Sequence, residues 1–339
     1  MPTSDDRQGL GQDAQASEPF PARSIESALV LADAKKPAVG ELLAEVRAWL
    51  EERLPRVHVE EDVRGFRRRR EKDPSVPPVG GRPDLAIVLG GDGSILSAVR
   101  AFAGDPVPTV GVNLGRVGYL AAVEATQWRE GLADVLEGRG VAEMRMRLAA
   151  RLSTRRPTRE ARPEPSLVAL NELVLARGAT QGMMSVGLRV GGRWVSDYRA
   201  DGLILATPSG STAHSLSAGG PILAPSMLGI VVTPICPHAL SSRPLVLHPD
   251  DPIEVHVRAA SGLVTLAVDG HGFYPLDVGD AVEIGVHPVR YPLLAPSWSD
   301  PWRRLRERLG WRGSVEGEAE TEADLPRSGG PDPWQGEVL

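Results

Sequence analysis

The 339-residue chain carries a formal net charge of −6 and is 42% hydrophobic and 24% charged, an ordinary balance for two globular domains or for one with tails. The acidic excess excludes a general nucleic-acid binder, which needs a basic face against backbone phosphates. A lone cysteine, Cys236, excludes an intrachain disulfide framework and fits a reducing compartment. No apolar run approaches the roughly 20 residues of a bilayer span, and the N-terminus shows no signal-peptide pattern, so no membrane association and a cytoplasmic location are expected.

Residues 1–24 are polar and Gly/Ser/Pro-containing, and read as a disordered tail. Residues 28–32 read as a first strand. Residues 39–54 carry a helical stripe of Leu42, Leu43, Val46 and Leu50. Strand followed by helix points to an α/β domain with a parallel sheet, in which residues 57–59 form a short second strand. Arg67, Arg68, Arg69 and Arg70, followed by a Pro- and Gly-rich stretch to Pro83, read as a solvated loop; the alternative is a polyanion contact.

The stretch that organises the chain comes next. Leu85–Leu89 is apolar and rich in branched side chains, as a buried strand is. Ile95, Leu96, Ala98, Val99 and Phe102 then recur at helical spacing, with Ser94 placed to cap the helix. Between them lies Gly90-Gly91-Asp92-Gly93. Glycines let the backbone turn sharply and approach a ligand, and the helix start offers N–H groups to phosphate, so Gly90, Gly91, Gly93 and Ser94 form a candidate phosphate loop. A carboxylate in such a cradle repels the anion. Asp92 makes sense there if it takes a proton from an attacking hydroxyl or helps hold a metal beside the phosphates. In the plainer reading Asp92 only bonds to nearby backbone, and the turn alone does not decide between them.

Residues 107–112 give another strand, closed by the Gly-rich loop 113–120 at the edge where open α/β sheets bind ligands. Asn113 there either contacts a phosphate or ribose or simply forms a turn. Residues 126–140 read as a helix. From about Leu148 the pattern changes, and the Pro- and Arg-rich residues 155–165 read as a connection. Alternation follows in Val186, Leu188 and Val190 before Gly191-Gly192, in Ile253, Val255 and Val257, and again in residues 263–268 and 282–286. Many strands with tight turns predict an antiparallel, all-β second domain, a sandwich. Within it, residues 201–221 run from a strand into a dense set of hydroxyls and glycines. Trp302 to Trp311 form a short basic helix that packs Leu305 and Leu309, and residues 314–339 return to tail composition.

Four blocks, in order, resemble the NAD kinase family: Gly90-Gly91-Asp92-Gly93, Asn171-Glu172, residues 201–221, and the Pro-His-Ala-Leu-Ser-Ser-Arg-Pro run at 237–244. The resemblance spans about residues 28–311, and the 201–221 block is its most specific part. It implies an α/β domain over 25–150, a β-sandwich over 151–286, and a segment, 287–313, that packs back on the α/β domain. It further implies phosphorylation of the adenosine 2′-hydroxyl of NAD to give NADP, with ATP or inorganic polyphosphate as donor and a divalent cation, magnesium. By the same resemblance Asp92 is the catalytic base, Asn171 and Glu172 lie near the ribose and phosphates of NAD, and Asp201 lies at the nicotinamide end. Thr212, Ala213, His214, Ser215, Leu216 and Ser217 line the dinucleotide, and the protein is a homo-oligomer, dimer or tetramer.

Three departures from the family pattern bear on that expectation. His214 stands where the family usually has Tyr, His271 follows Asp269-Gly270 where it usually has Gln, and Ser97 stands where many members carry a basic residue. Altered affinity is expected at His214, a direct contact at His271 is in doubt, and Ser97 leaves one phosphate contact unexplained. Cys236 and His238 lack partners at zinc-like spacing, so no protein-held metal site is expected. A lipid kinase shares the Gly-Gly-Asp-Gly block, but residues 201–221 and the absence of a basic amphipathic membrane face count against it. A non-catalytic NAD(P)-binding sensor has no need of Asp92.

Overall fold

The computed structural model describes residues 17–19, 25–75, 77–115, 118–153, 167–178 and 182–311. The tail 314–339, the connection 155–165, Arg116 and Val117 lie outside the described residues. So does most of the expected N-terminal tail, but Ser17–Pro19 within it pairs antiparallel with Val141–Glu143.

The first sheet grows from Ser27–Ala32, a fully buried strand that pairs in parallel with Arg56–Glu60 on one side and Leu85–Leu89 on the other. Leu85–Leu89 pairs in parallel with Thr109–Asn113. Parallel neighbours need crossovers, and helices supply them. Pro37–Glu51 starts on a proline, which lacks the N–H that a first turn would leave unpaired, and buries Val39, Leu43, Val46 and Leu50 against the sheet. The second crossover corrects the sequence reading. Arg67 to Arg70 lie on a helix, Val63–Lys72, and not in a loop. Asp62 caps it by accepting from Gly65 N at 2.8 Å, and Val63 and Phe66 bury one face. A run of four arginines masked that short apolar stripe. Arg67 is itself buried, while Arg69 pairs with Glu60 at 2.7 Å.

The sheet is completed from the far end of the chain. Tyr291–Ala295 enters between Thr109–Asn113, to which it is parallel, and Val141–Arg145, to which it is antiparallel. Between these two visits the chain builds a second domain of two six-stranded antiparallel sheets. Leu173, Leu175, Leu203, Leu205 and Leu266 from one sheet meet Val186, Leu188, Val255, Val282 and Ile284 from the other in a single core. The chain leaves the first sheet at Arg145 and joins the second domain at Leu148, slightly before the expected boundary at 150. Arg147 lies at the crossing and is fully buried. It donates to the carbonyls of Ala103 at 2.7 Å and Val289 at 2.7 and 2.9 Å, and His287 N donates to its carbonyl at 2.8 Å. The outgoing and returning chains are therefore bonded to each other.

Candidate active site

Leu85–Leu89 carries the chain to the ligand edge of the first sheet, and the helix Asp92–Ala101 begins directly after the turn. Gly91 is the N-cap, so Ser94 does not cap this helix as expected; it sits in the first turn, its N–H on the Gly91 carbonyl at 2.9 Å. No side chain occupies the cap. Gly90 has φ +156°, and a Cβ there would lie 2.5 Å from Ser94 Oγ. Asp92 reaches over to the loop beyond Asn113. Its carboxylate accepts from Tyr119 N and Leu120 N, each at 3.0 Å, and from Arg308 Nη1 at 2.7 Å. The approach is so close that a Cβ on Gly118 would lie 2.3 Å from Asp92 Oδ1. Asn113 accepts from Gly115 N at 3.2 Å, which is the turn of the two readings above. Ser97 is buried and donates to the Gly93 carbonyl at 2.9 Å. The Ser97 hydroxyl is thus spent on the helix backbone.

Asn171 and Glu172 open the strand Glu172–Arg177 in the second domain, at the end that Leu170 packs against the helix Asp92–Ala101. Their backbone is held by Asp269, which accepts from the N–H groups of Leu170, Asn171 and Glu172 at 2.8, 2.8 and 3.0 Å. Asp269 and Gly270 both have positive φ, +48° and +68°, the two-residue hairpin turn that Asp-Gly favours. His271 bonds to the carbonyl of Asp269 through Nδ1 at 2.8 Å. The imidazole braces its own turn, which resolves the doubt at that position. Asn171 Oδ1 and Glu172 Oε2 are buried with no hydrogen-bond partner among the described residues. Burial, reinforced by the neighbouring Asp269, pushes the Glu172 carboxyl up to about 8. Burial also raises Asp269, against the pull of its three N–H donors. Unpaired buried oxygens of this kind need a partner, and a ligand with polar edges supplies one.

The hydroxyl-rich segment after Gly202–Ala206 clamps the same place. Thr207 Oγ1 donates to the Leu170 carbonyl at 2.6 Å and Thr207 N to the Asn171 carbonyl at 2.8 Å. Gly210 lies directly against Asn171, where a Cβ would stand 2.1 Å from the Asn171 carbonyl oxygen. The hydroxyls of Thr212 and Ser215 are turned inward. Thr212 Oγ1 donates to the Ser209 carbonyl at 3.0 Å, and Ser215 Oγ shares a 2.9 Å hydrogen bond with Thr233 Oγ1. His214 and Ser217 are exposed and Ala213 and Leu216 half-buried, so these four offer the segment's open surface. Asp201 does not join this cluster. It pairs with Arg177 at 2.6 Å, and that hydrogen bond holds its carboxyl below the usual range. Both sit at the opposite end of the Glu172–Arg177 and Gly202–Ala206 strands, about 20 Å from Asn171 at the rise of a strand.

The C-terminal helix Pro301–Leu309 brings residues that sequence reasoning missed. Asp300 caps it through Trp302 N at 2.8 Å and Arg303 N at 3.0 Å, and Leu305 is buried in the same core as Ile95 and Tyr119. Arg304 donates to Glu143 at 2.6 Å, and Arg145 pairs with the same carboxylate. Burial opposes ionisation of Glu143, but the two guanidinium groups hold it below the usual range. Arg308, one turn on, reaches Asp92. The i, i+4 spacing of Arg304 and Arg308 beside Leu305 was the available signal. Among the described residues no group of three His, Cys, Asp or Glu is placed to hold a metal, and Cys236 is exposed.

The ATP-NAD kinase N-terminal domain model matches residues 34–140, and the ATP-NAD kinase C-terminal domain model matches residues 170–294. The chain belongs to the NAD kinase family. Among relatives of this NAD kinase family member, the NAD kinase of Nitrosomonas europaea is 41% identical over 238 residues, 70% of this chain and 78% of that protein. The NAD kinase of Desulforamulus reducens is 34% identical over 288 residues, 85% of this chain and 98% of the relative. The structure of yeast NADH kinase complexed with NADH superposes with a TM-score of 0.73 at 27% identity, covering 86% of this chain and 89% of that one. An NAD kinase from Archaeoglobus fulgidus in complex with ATP gives 0.62 at 26% identity, covering 84% and 97%.

Proposed function

We infer that this protein is an NAD kinase that transfers the terminal phosphoryl group of ATP to the adenosine 2′-hydroxyl of NAD. The observation that carries the mechanism is Asp92, a carboxylate in an uncapped helix N-terminus, oriented by Tyr119 N and Leu120 N. As the new O–P bond forms, the hydroxyl proton passes to the Asp92 carboxylate, and the donor leaves as ADP. The free N–H groups of Gly91 to Gly93 receive phosphate oxygens. Asn171 Oδ1 accepts from the nucleoside, and Glu172, which keeps its proton near neutrality, donates to it. The acceptor is thereby fixed against the base, which is the main source of rate in such a transfer.

Bound magnesium would neutralise phosphate charge in this chemistry, and the donor's phosphates would hold it, leaving Asp92, the single carboxylate at the turn, to take the proton. Inorganic polyphosphate is the other donor of the right chemistry. Asp201, a strand's length from Asn171, fits a dinucleotide site completed by a second copy in a dimer or tetramer, with Asp201 at the nicotinamide end. A cytoplasmic location agrees with the absence, among the described residues, of any helix long and apolar enough to cross a membrane.

The test is NADP formation from NAD and ATP with magnesium, read through an NADP-specific dehydrogenase, with polyphosphate run in parallel. Asp92→Asn is expected to lower turnover by about 10²- to 10⁴-fold while NAD still binds. Tight NAD binding with no NADP from either donor would overturn the kinase reading in favour of a sensor.

A further inference from the structure

We propose that Arg308, delivered by the C-terminal helix, binds the phosphates of the phosphoryl donor and rests on Asp92 when no donor is present. The inference builds on the kinase reading above and names a residue that the family motifs at 90–93, 171–172 and 201–221 do not contain.

Three observations carry it. First, Asp92 has its two backbone donors already, and Arg308 adds a third contact to the carboxylate that must receive a proton during turnover. A guanidinium held there throughout the reaction would oppose that protonation. Second, Arg308 is free to move. Among the described residues it makes one hydrogen bond, through Nη1, and its side chain is 32% exposed. Its helix, by contrast, is fixed by the Asp300 cap, by buried Leu305 and by the Arg304–Glu143 pair at 2.6 Å. A rigid stem with a loose, forked head suits capture of a phosphate, which accepts two parallel N–H bonds from one guanidinium.

Third, the helix brings cations to this edge. Among the described residues Arg145 and Arg304 share the carboxylate of Glu143, and Arg308 pairs with Asp92. Arg145 Nε and Arg304 Nε are buried with no partner among the described residues. The positive end of the Asp92–Ala101 helix adds to this edge. A polyphosphate chain lying along the uncapped turn would come within reach of the Arg308 guanidinium. When the donor arrives, Arg308 swings from Asp92 to a phosphate oxygen. The carboxylate is then open to the hydroxyl, and the charge that builds on the phosphates during transfer is met by the guanidinium.

The experiment is steady-state kinetics of Arg308→Ala and Arg308→Gln, varying ATP and NAD separately, with ATP affinity also measured by titration calorimetry. The expected result is a KM and Kd for ATP raised by about ten- to a hundredfold with the KM for NAD within about twofold. Arg308→Lys should recover part of the ATP affinity, and added guanidinium ion should restore part of the Arg308→Ala rate. An unchanged KM for ATP would overturn the proposal, as would a rise in turnover, because Arg308 would then be only a plug on Asp92. Equal increases in both KM values would overturn it too, since they mark displacement of the whole helix. The unsubstituted protein separates the two levels. If it makes NADP while Arg308→Ala shows normal ATP kinetics, the kinase reading stands and the assignment of Arg308 falls.

Discussion

Replacing Glu172 with Gln isolates the buried carboxyl at the proposed nucleoside site. The side chain is 7% exposed and burial beside Asp269 pushes it up to about 8, from an ordinary value of 4.5. The folded protein therefore keeps a proton that the unfolded chain loses near pH 4.5. Between those two values the unfolded state binds fewer protons, so stability falls as pH rises, by about 1.4 kcal/mol per pH unit. Glutamine copies the shape of the neutral carboxyl and never ionises. At pH 5 the two proteins should be equally stable to within about 1 kcal/mol; by pH 8 the variant should lead by about 4 kcal/mol. Urea unfolding of the ligand-free proteins, followed by tryptophan fluorescence at pH 5, 6, 7 and 8, measures the difference. If the gap between the two proteins does not widen with pH, the carboxyl is ionised in the fold and its proposed role as a donor to the nucleoside is wrong.

Two further outcomes follow from distances and charges in the same site. Gly210→Ala puts a methyl 2.1 Å from the Asn171 carbonyl oxygen, a backbone atom that cannot step aside. A loss of about 1–3 kcal/mol in stability and a weaker NAD Kd should appear together in thermal melts and titrations, and a normal Kd would detach Gly210 from the site. Glu143→Gln leaves Arg145 and Arg304 buried without a counter-charge, at a cost of about 3–5 kcal/mol. Denaturant midpoints at pH 7 check this, and an unchanged midpoint would mean that solvent already reaches the pair.

The local features of the chain were readable because their causes are local. Leu85–Leu89, the glycines beside Asp92 and the helical stripe after them each follow from neighbours a few residues apart. The β domain was readable through its period of two, and one of its hairpins through the Gly191-Gly192 turn. What escaped depends on residues far apart in sequence. Asp269 grips three N–H groups nearly a hundred positions upstream, and nothing in its own neighbourhood marks it as buried. Arg308 meets Asp92 across 216 positions, while its helix by itself shows only two leucines and a charged face. The inward turn of Thr212 and Ser215 was hidden for a related reason. A hydroxyl is equally suited to a ligand and to its own backbone, and only packing against Thr233 and Ser209 decides.

The late insertion of Tyr291–Ala295 into the first sheet constrains how the molecule can be made. During synthesis the α/β portion emerges first, yet Thr109 and Val110 and the whole of Val141–Arg145 wait for a strand that lies about 150 to 180 residues downstream. The sandwich, whose strands run from Leu148 to Val286, has all its pairings in hand before that strand leaves the ribosome. The nascent order is thus inverted: the second domain closes while the first stands open along one edge, and Arg147 can seat on Val289 only when the returning chain arrives. A chain severed just after Val286 would retain a complete sandwich and lose both the last sheet strand and the helix that carries Arg308. The α/β domain cannot be expressed whole as an N-terminal fragment, because its final pieces are encoded on the far side of the β domain.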